Sequence, residues 1–162
     1  MRDITPMICD QFESQIQLLD VPLSNFGMRD AFWGEVETVR CYHDASHIIS
    51  ALSKPGTGKI LVIDGHGSLQ RALVDESIAT LAITNDWEGI VVLGAVRDVA
   101  HLAQMDIGIK AIGTSPFKAE MRETGHENVS LTLLHHVIQP GDYLYADWNA
   151  TLLAETKLPI EL

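Results

Sequence analysis

Three features are missing from this chain of 162 residues: a long apolar run, an apolar leader and a patterned set of cysteines. No stretch approaches the roughly 18 continuous apolar residues of a membrane-spanning helix, so we expect no membrane association. The first ten residues, MRDITPMICD, lack the apolar core of about 7–15 residues that marks a secretory signal. Cys9 and Cys41 form no CxxC pair. We therefore expect reduced thiols in a cytoplasmic protein.

Basic residues are also scarce, with 11 Lys and Arg against 22 Asp and Glu and a formal net charge of -11. Because contacts to phosphate are made mainly by Lys and Arg, this balance argues against direct binding of nucleic acid. No basic run compensates locally, since Lys54, Lys59, Lys118 and Arg122 are each isolated. Three interpretations stay open: a soluble enzyme, a protein that docks on a basic partner, or a surface that only aids solubility.

Apolar residues make up 46% of the chain, and no linker or repeat divides it, so we expect one domain over residues 1–162. Apolar periodicity predicts the following elements up to residue 112. Helices are expected at 5–13, 46–52, 68–83 and 98–105, and strands at 36–42, 59–64, 90–93 and 107–112. Thr5 is the expected N-cap of the first helix, with Pro6 at its first position.

The last third of the chain changes character. Apolar segments at 129–138, 143–146 and 150–154 predict strands, joined by turns at 140–142 and 147–149. The alternating helices and strands before them imply a parallel sheet. We therefore predict an α/β core closed by antiparallel strands. Binding sites in such sheets form beyond the carboxyl ends of the strands.

Glycine and histidine pairs in the chain do not complete a recognised motif. Gly65-His66-Gly67-Ser68 follows a predicted strand, but Gln70 stands where a dinucleotide-binding loop needs its third glycine. His43 and His47 are four residues apart and could share a helix face. The Glu of the HExxH zinc motif is absent, so we expect two exposed histidines.

The segment Gly94-Ala95-Val96-Arg97-Asp98 follows an apolar strand and has the strongest chemical signal. Arg97 can bind a carboxylate through two parallel hydrogen bonds. Asp98 offers carboxylate oxygen to a divalent metal. Together they suggest chemistry on a small acid, and a salt bridge or helix cap at the end of the strand is the alternative.

A second polar segment, Asp75-Glu76-Ser77, interrupts the apolar stripe of the helix predicted at 68–83. If a helix begins again here, its first N–H groups form a cradle for a carboxylate. A solvated acidic turn is the alternative. Twenty residues lie between Glu76 and Arg97.

These segments resemble the family of the regulator of ribonuclease activity A, which shares its fold with 4-hydroxy-4-methyl-2-oxoglutarate aldolases. The aldolase members have Gly-Asp, then twenty residues, then Arg-Asp. This chain keeps the spacing to Arg97 but has Asp75-Glu76 in place of Gly-Asp. The resemblance covers nearly the whole chain. The other matching stretches are residues 9–10, 24–27, 62–65, 67–68, 71–73, 87–91, 94–98, 106–109 and 140–147.

The resemblance implies a metal-dependent class II aldolase, a lyase that cleaves 4-hydroxy-4-methyl-2-oxoglutarate to pyruvate. Oxaloacetate decarboxylation is the implied side activity, because it passes through the same enolate. Arg97 is then catalytic and binds the substrate's pyruvyl carboxylate and keto oxygen. Glu76 is catalytic through a water that moves protons, and Asp98 holds magnesium or manganese, largely through water. Substrate binding is implied for five residues: Asp75, Glu76, Ser77, Ile78 and Arg97.

The resemblance also implies a compact α/β/β architecture, like a swivelling domain, and a ring-shaped homotrimer with its site near subunit contacts. The regulator branch of the family implies a second function, a non-catalytic protein that binds and inhibits a ribonuclease E-type endonuclease. An acidic trimer could dock on basic, disordered segments of such a nuclease. We favour the aldolase, because docking on a nuclease would not require both Arg97 and Asp98.

Overall fold

Helices and strands alternate through most of the computed structural model, which describes residues 2–162. The helices are α1 (Thr5–Phe12), α2 (Ser46–Leu52), α3 (Glu76–Thr84) and α4 (Val99–Leu102), with a 3-10 turn at Glu13–Gln15. The strands are β1 (Ile16–Leu18), β2 (Ser24–Asn25), β3 (Phe32–Arg40), β4 (Lys59–Asp64), β5 (Ala72–Val74), β6 (Gly89–Val96), β7 (Gly108–Thr114), β8 (His126–Glu127), β9 (Leu131–Leu133), β10 (His136–Ile138), β11 (Tyr143–Ala146) and β12 (Thr151–Ala154).

Ten of these strands form one mixed sheet, whose main path runs β1-β12-β11-β3-β4-β6-β7-β2. Its centre is parallel: β3 pairs with β4, β4 with β6, and β6 with both β5 and β7. Antiparallel pairs of β1, β11 and β12 close one side, and β2 closes the other. β9 and β10 form a separate hairpin. The predicted parallel core closed by antiparallel strands is confirmed.

Strand β4 shows why this sheet is buried on both faces. Successive side chains of a strand point to opposite faces. Leu61 and Ile63 pack in a cluster with apolar residues of α2 and α3. Ile60 and Val62 pack in a second cluster with Leu131 and other residues of the hairpin. A continuous apolar run is the pattern expected of such a doubly covered parallel strand.

The helix predicted at 68–83 is wrong in its first half. Residues 72–74 form strand β5 beside β6, and the helix begins only at Glu76. All three residues of β5 are buried. The amide of Ala72 donates to the carbonyl of Phe117 at 2.8 Å, which adds a partner on the other side of the strand. These long-range pairs outweigh the helical spacing of the apolar residues.

Thr5 is not the N-cap of the first helix. It is the first residue of α1, and its hydroxyl donates to Asp147 Oδ1 at 2.7 Å. Asp147 Oδ2 accepts the amides of Ile4 and Thr5, each at 2.8 Å. The carboxylate that caps α1 is thus 142 residues away along the chain, where no local pattern can indicate it.

Other predicted bounds hold or shift by a few residues. Strands 59–64 and 143–146 are confirmed as predicted. The helix predicted at 98–105 is only Val99–Leu102, and the strand predicted at 129–138 is the hairpin of β9 and β10. Leu134, between them, has a positive φ of 57° that breaks the strand. No helix within residues 2–162 is long and apolar enough to cross a membrane.

Candidate active site

The two polar segments lie side by side because they follow neighbouring strands. Val74 ends β5 and is paired with Val96, which ends β6. The amide of Arg97 donates to the carbonyl of Val74 at 3.0 Å and continues the ladder by one step. The chain leaves the two strands as Asp75 and Arg97, so both side chains are at the carboxyl edge of the parallel sheet, where ligands bind in this fold class.

Asp75 is the N-cap of α3 and is only 8% exposed. Its Oδ1 accepts the amide of Ile78 at 3.0 Å and the hydroxyl of Ser77 at 2.7 Å. Its Oδ2 accepts Nη2 of Arg97 at 3.3 Å. Burial opposes ionisation, but the hydrogen bonds from Ile78, Ser77 and Arg97 outweigh it and hold the pKa of the Asp75 carboxyl below its usual value. Asp75 is therefore a fixed anion that positions Arg97.

Arg97 is held at two of its three nitrogens. Nη2 donates to Asp75, and Nη1 donates to the carbonyl of Pro116 at 3.4 Å. Its buried Nε has no acceptor within residues 2–162. Of the five N–H donors of the guanidinium, Nη1 and Nη2 each keep one that the described residues do not use. The side chain is 28% exposed, so these two donors are available to an anionic ligand.

Asp98 has the left-handed backbone conformation, with φ 60° and ψ 37°, at the start of α4. Non-glycine residues rarely adopt it, and at functional sites it aims a side chain that the regular backbone would misdirect. Asp98 Oδ2 accepts the amide of Glu76 at 3.0 Å. This contact joins the N-terminus of α3 to that of α4 and turns the Asp98 carboxylate toward Glu76.

A cleft of about 550 Å³ opens at this point of the sheet edge. Its lining consists of Asp75, Glu76, Ser77, Thr80, Arg97, Asp98 and Lys118. Glu76 is exposed, with Oε2 3.9 Å from Nδ1 of His101 on α4. Three carboxylates and two cations thus line an open cleft whose volume suits a small ligand.

The structure brings together five of the six residues singled out in the sequence. Ile78 is the exception: it is buried, and its amide is used by Asp75. The amide of Glu76 is used by Asp98, so the Ser77 amide is the first-turn N–H of α3 without a partner in the described chain. Sequence reasoning missed Thr80 and Lys118. Lys118 had no signal, because only the pairing of residues 117–119 with β5 brings it there.

The donor set of the cleft fits some metal ions and not others. Within residues 2–162, no three His, Cys, Asp or Glu side chains are placed to hold one metal ion. The cleft therefore does not fit a structural zinc site, which needs four such ligands. Magnesium binds through one or two carboxylates and keeps several waters. Asp98 fits that mode, because it is exposed and its Oδ1 accepts no hydrogen bond from the described residues.

The spacing of His43 and His47 would allow a shared helix face, but only His47 lies on a helix. His43 precedes α2 with a positive φ of 56°, and its Nε2 is 2.7 Å from the hydroxyl of Ser68. His47 lies on α2, with Nδ1 2.7 Å from Glu127 Oε2. Both are half-buried rather than exposed. Each histidine thus has its own hydrogen-bond partner, and the two do not form one site.

The fold and cleft define an α/β protein with a charged cleft at the carboxyl edge of its sheet. The chain belongs to the RraA-like family, described as Aldolase/RraA, whose profile matches residues 5–152. A relative from Vibrio cholerae serotype O1 is 59% identical over 160 residues, covering 99% of both chains. The name of that relative gives 4-hydroxy-4-methyl-2-oxoglutarate aldolase as an inferred activity.

Two solved structures share the fold over almost the whole chain. The RNA-processing inhibitor RraA from Thermus thermophilis is 33% identical, with a TM-score of 0.92 over 98% of this chain and 96% of that one. A Geobacillus kaustophilus structure described as an S-adenosylmethionine:2-dimethylmenaquinone methyltransferase is 32% identical, with a TM-score of 0.95 over 99% of each chain. Relatives thus have different described activities, so function must be argued from the cleft.

Proposed function

We propose that this protein is a divalent-metal-dependent lyase that cleaves 4-hydroxy-4-methyl-2-oxoglutarate into two molecules of pyruvate. The observation that supports it most is the partly exposed guanidinium of Arg97, which Asp75 and Pro116 hold in the cleft beside the exposed carboxylate of Asp98. An arginine fork next to a metal-binding carboxylate suits a 2-oxo acid, which offers a carboxylate and a keto oxygen together. The aldolase assignment of the Vibrio cholerae relative agrees with this proposal.

In the proposed reaction, the C4 hydroxyl of the substrate loses its proton and the bond between C3 and C4 breaks. Its electron pair passes to the C2 oxygen and forms the enolate of pyruvate, while C4 becomes the keto carbon of a second pyruvate. Arg97 holds the C1 carboxylate and stabilises the charge on the C2 oxygen. A proton added at C3 completes the first pyruvate. Oxaloacetate decarboxylation gives the same enolate and is the expected side activity.

Glu76 is the proposed proton carrier. It is exposed in the cleft and can hold a water that takes the proton from the C4 hydroxyl and returns one to C3. The unpaired amide of Ser77 is a further donor for the substrate carboxylate at the N-terminus of α3. Asp75 fixes Arg97 through Nη2, and Ile78 contributes by anchoring Asp75.

Asp98 is the proposed metal ligand. A bound magnesium or manganese ion would supply positive charge beside the keto oxygen. The left-handed backbone at Asp98 and its contact with the Glu76 amide hold the carboxylate at the cleft rather than along the helix.

Pyruvate release tests this function directly. The purified protein is incubated with 4-hydroxy-4-methyl-2-oxoglutarate or oxaloacetate and magnesium or manganese, with and without a chelator. Pyruvate is measured by coupling to lactate dehydrogenase. Blanks with metal alone are required because oxaloacetate loses carbon dioxide without an enzyme. We expect saturable turnover that the chelator abolishes, and release no faster than in the blanks would refute the lyase.

A second function, inhibition of a ribonuclease E-type endonuclease, is favoured by the Thermus thermophilis relative, which is described as an RNA-processing inhibitor. The formal net charge of -11 suits docking on a basic, disordered nuclease segment. Such binding should weaken steeply with salt and survive the substitution Asp98→Asn. If no complex forms even at low salt, this second function is wrong.

A further inference from the structure

The backbone around Lys118 is held firmly against the site. The amide of Ala72 donates to the carbonyl of Phe117 at 2.8 Å, and the amide of Ala119 donates to the carbonyl of Ala72 at 3.2 Å. The carbonyl of Lys118 accepts Nη1 of Arg71 at 2.8 Å. Residues 117–119 therefore form a short extension of the sheet beside β5. These hydrogen bonds fix the backbone position from which the Lys118 side chain extends along the cleft wall.

The Lys118 ammonium group has no hydrogen bond or ion pair within the part of the chain that the structure describes. Other lysines differ: Lys59 is 2.6 Å from Glu37, and Lys54 is 3.3 Å from Glu127. Lys118 lines the cleft together with three carboxylates, yet none of them lies within 4 Å of its Nζ. An exposed ammonium group without an internal partner can bind an anionic ligand without breaking an existing contact.

The cleft has two cations, and their environments differ. Arg97 is paired with Asp75 and, in the proposed function, binds the carboxylate next to the keto group. A substrate with a second carboxylate would bring that charge close to Glu76 and Asp98, where like charges repel. Lys118 is the remaining cation of the lining that can offset this repulsion.

We propose that Lys118 binds the distal carboxylate of the substrate and makes the site selective for 2-oxo acids with two carboxylates. This assignment rests on the proposed function, in which Arg97 takes the carboxylate next to the keto group. The two cations then bind opposite ends of one dianion, and a 2-oxo acid with an apolar end binds through Arg97 alone. The selectivity arises from a single charge on the cleft wall.

Binding of two matched ligands tests the assignment without requiring turnover. 2-Oxoglutarate has the substrate's carbon backbone and both carboxylates, but it lacks the C4 hydroxyl that carbon–carbon cleavage needs. 2-Oxopentanoate replaces the distal carboxylate with a methyl group. Dissociation constants for both are measured by calorimetry, with magnesium present, for the wild type, Lys118→Met, Lys118→Arg and Lys157→Met. Lys157 is exposed outside the cleft and controls for the lost net charge.

We expect Lys118→Met to weaken 2-oxoglutarate binding about five- to tenfold and to leave 2-oxopentanoate binding unchanged. Lys118→Arg should restore most of the loss, and Lys157→Met should bind both ligands as the wild type does. Equal loss for both ligands, or no loss for either, would overturn the assignment. Failure of the proposed lyase function has a different result. The protein would then release no pyruvate, while Lys118→Met would still weaken binding of 2-oxoglutarate and not of 2-oxopentanoate.

Discussion

The left-handed backbone of Asp98 allows its structural and chemical contributions to be separated by two substitutions. Asparagine tolerates this conformation and keeps a side-chain oxygen that can accept the Glu76 amide. Alanine disfavours this conformation and has no side-chain oxygen. Asp98→Asn should therefore remove the charge of the carboxylate and preserve the local structure, while Asp98→Ala should disturb both. The contact that decides the comparison is the 3.0 Å hydrogen bond from Glu76 to Asp98 Oδ2.

The magnitude follows from the backbone angle and that hydrogen bond. The left-handed conformation costs roughly 1–2 kcal/mol for alanine, and loss of the cap-like hydrogen bond costs about 1 kcal/mol. Asp98→Ala should lower the free energy of unfolding by about 2 kcal/mol, and Asp98→Asn by less than about 0.5 kcal/mol. For 162 residues, with an unfolding entropy of about 2.1 cal/mol/K per residue, 2 kcal/mol is ~6 °C in Tm.

Thermal unfolding followed by circular dichroism, with a chelator present, measures the structural part. Metal-dependent pyruvate release measures the chemical part. We expect both variants to lose turnover and only Asp98→Ala to lose stability. If Asp98→Asn retains metal-dependent turnover, Asp98 is not the metal ligand. If the alanine variant is as stable as the asparagine variant, the left-handed backbone at residue 98 does not penalise alanine.

Three further predictions concern stability and assembly. Burial, then the neighbouring His135, lowers the pKa of His136 below its usual 6.5. As pH falls, His136 is therefore protonated in the unfolded chain before it is protonated in the folded one, and the free energy of unfolding should fall below about pH 6.5. Urea titrations at several pH values should show a smaller fall in this free energy for His136→Gln than for the wild type. Asp147 accepts five hydrogen bonds from residues 4, 5, 149 and 150, so Asp147→Ala should lower the unfolding free energy by ~3–5 kcal/mol, whereas the exposed Asp10→Ala should not. Light scattering should give about 53 kDa, three chains of 17.8 kDa; a mass of one chain would contradict the trimer that the family resemblance implies.

Local patterns were sufficient where the strands are long and apolar. Strand β4 was predicted to the residue because Ile60 to Ile63 form a continuous buried run between a glycine-rich turn and Asp64. Strand β5 was missed because three residues, Ala72 to Val74, are too few for a periodicity to distinguish strand from helix. Its identity depends on pairing with β6 and residues 117–119, which lie far away in the sequence.

The candidate site also contains residues that the local sequence indicates and residues that only long-range pairing brings in. Arg97 and Asp98 could be found from the sequence because they are adjacent and follow a buried strand. The position of Asp75 as a partner of Arg97 could not, since it depends on the register of β5 against β6. Lys118 enters the cleft only through the extension of that same pairing. Long-range strand pairing, rather than local chemistry, decides which charges meet.

In the proposed function, the cleft of Arg97 and Asp98 stabilises the enolate of pyruvate. Exchange of the pyruvate methyl protons for deuterium in heavy water, followed by proton NMR, tests this step without any aldol substrate. We predict that the wild type with magnesium accelerates the exchange, and that Arg97→Met, Asp98→Asn or a chelator each reduces it to the rate with metal alone. Exchange no faster with the wild type than with metal alone would show that this cleft does not stabilise the enolate.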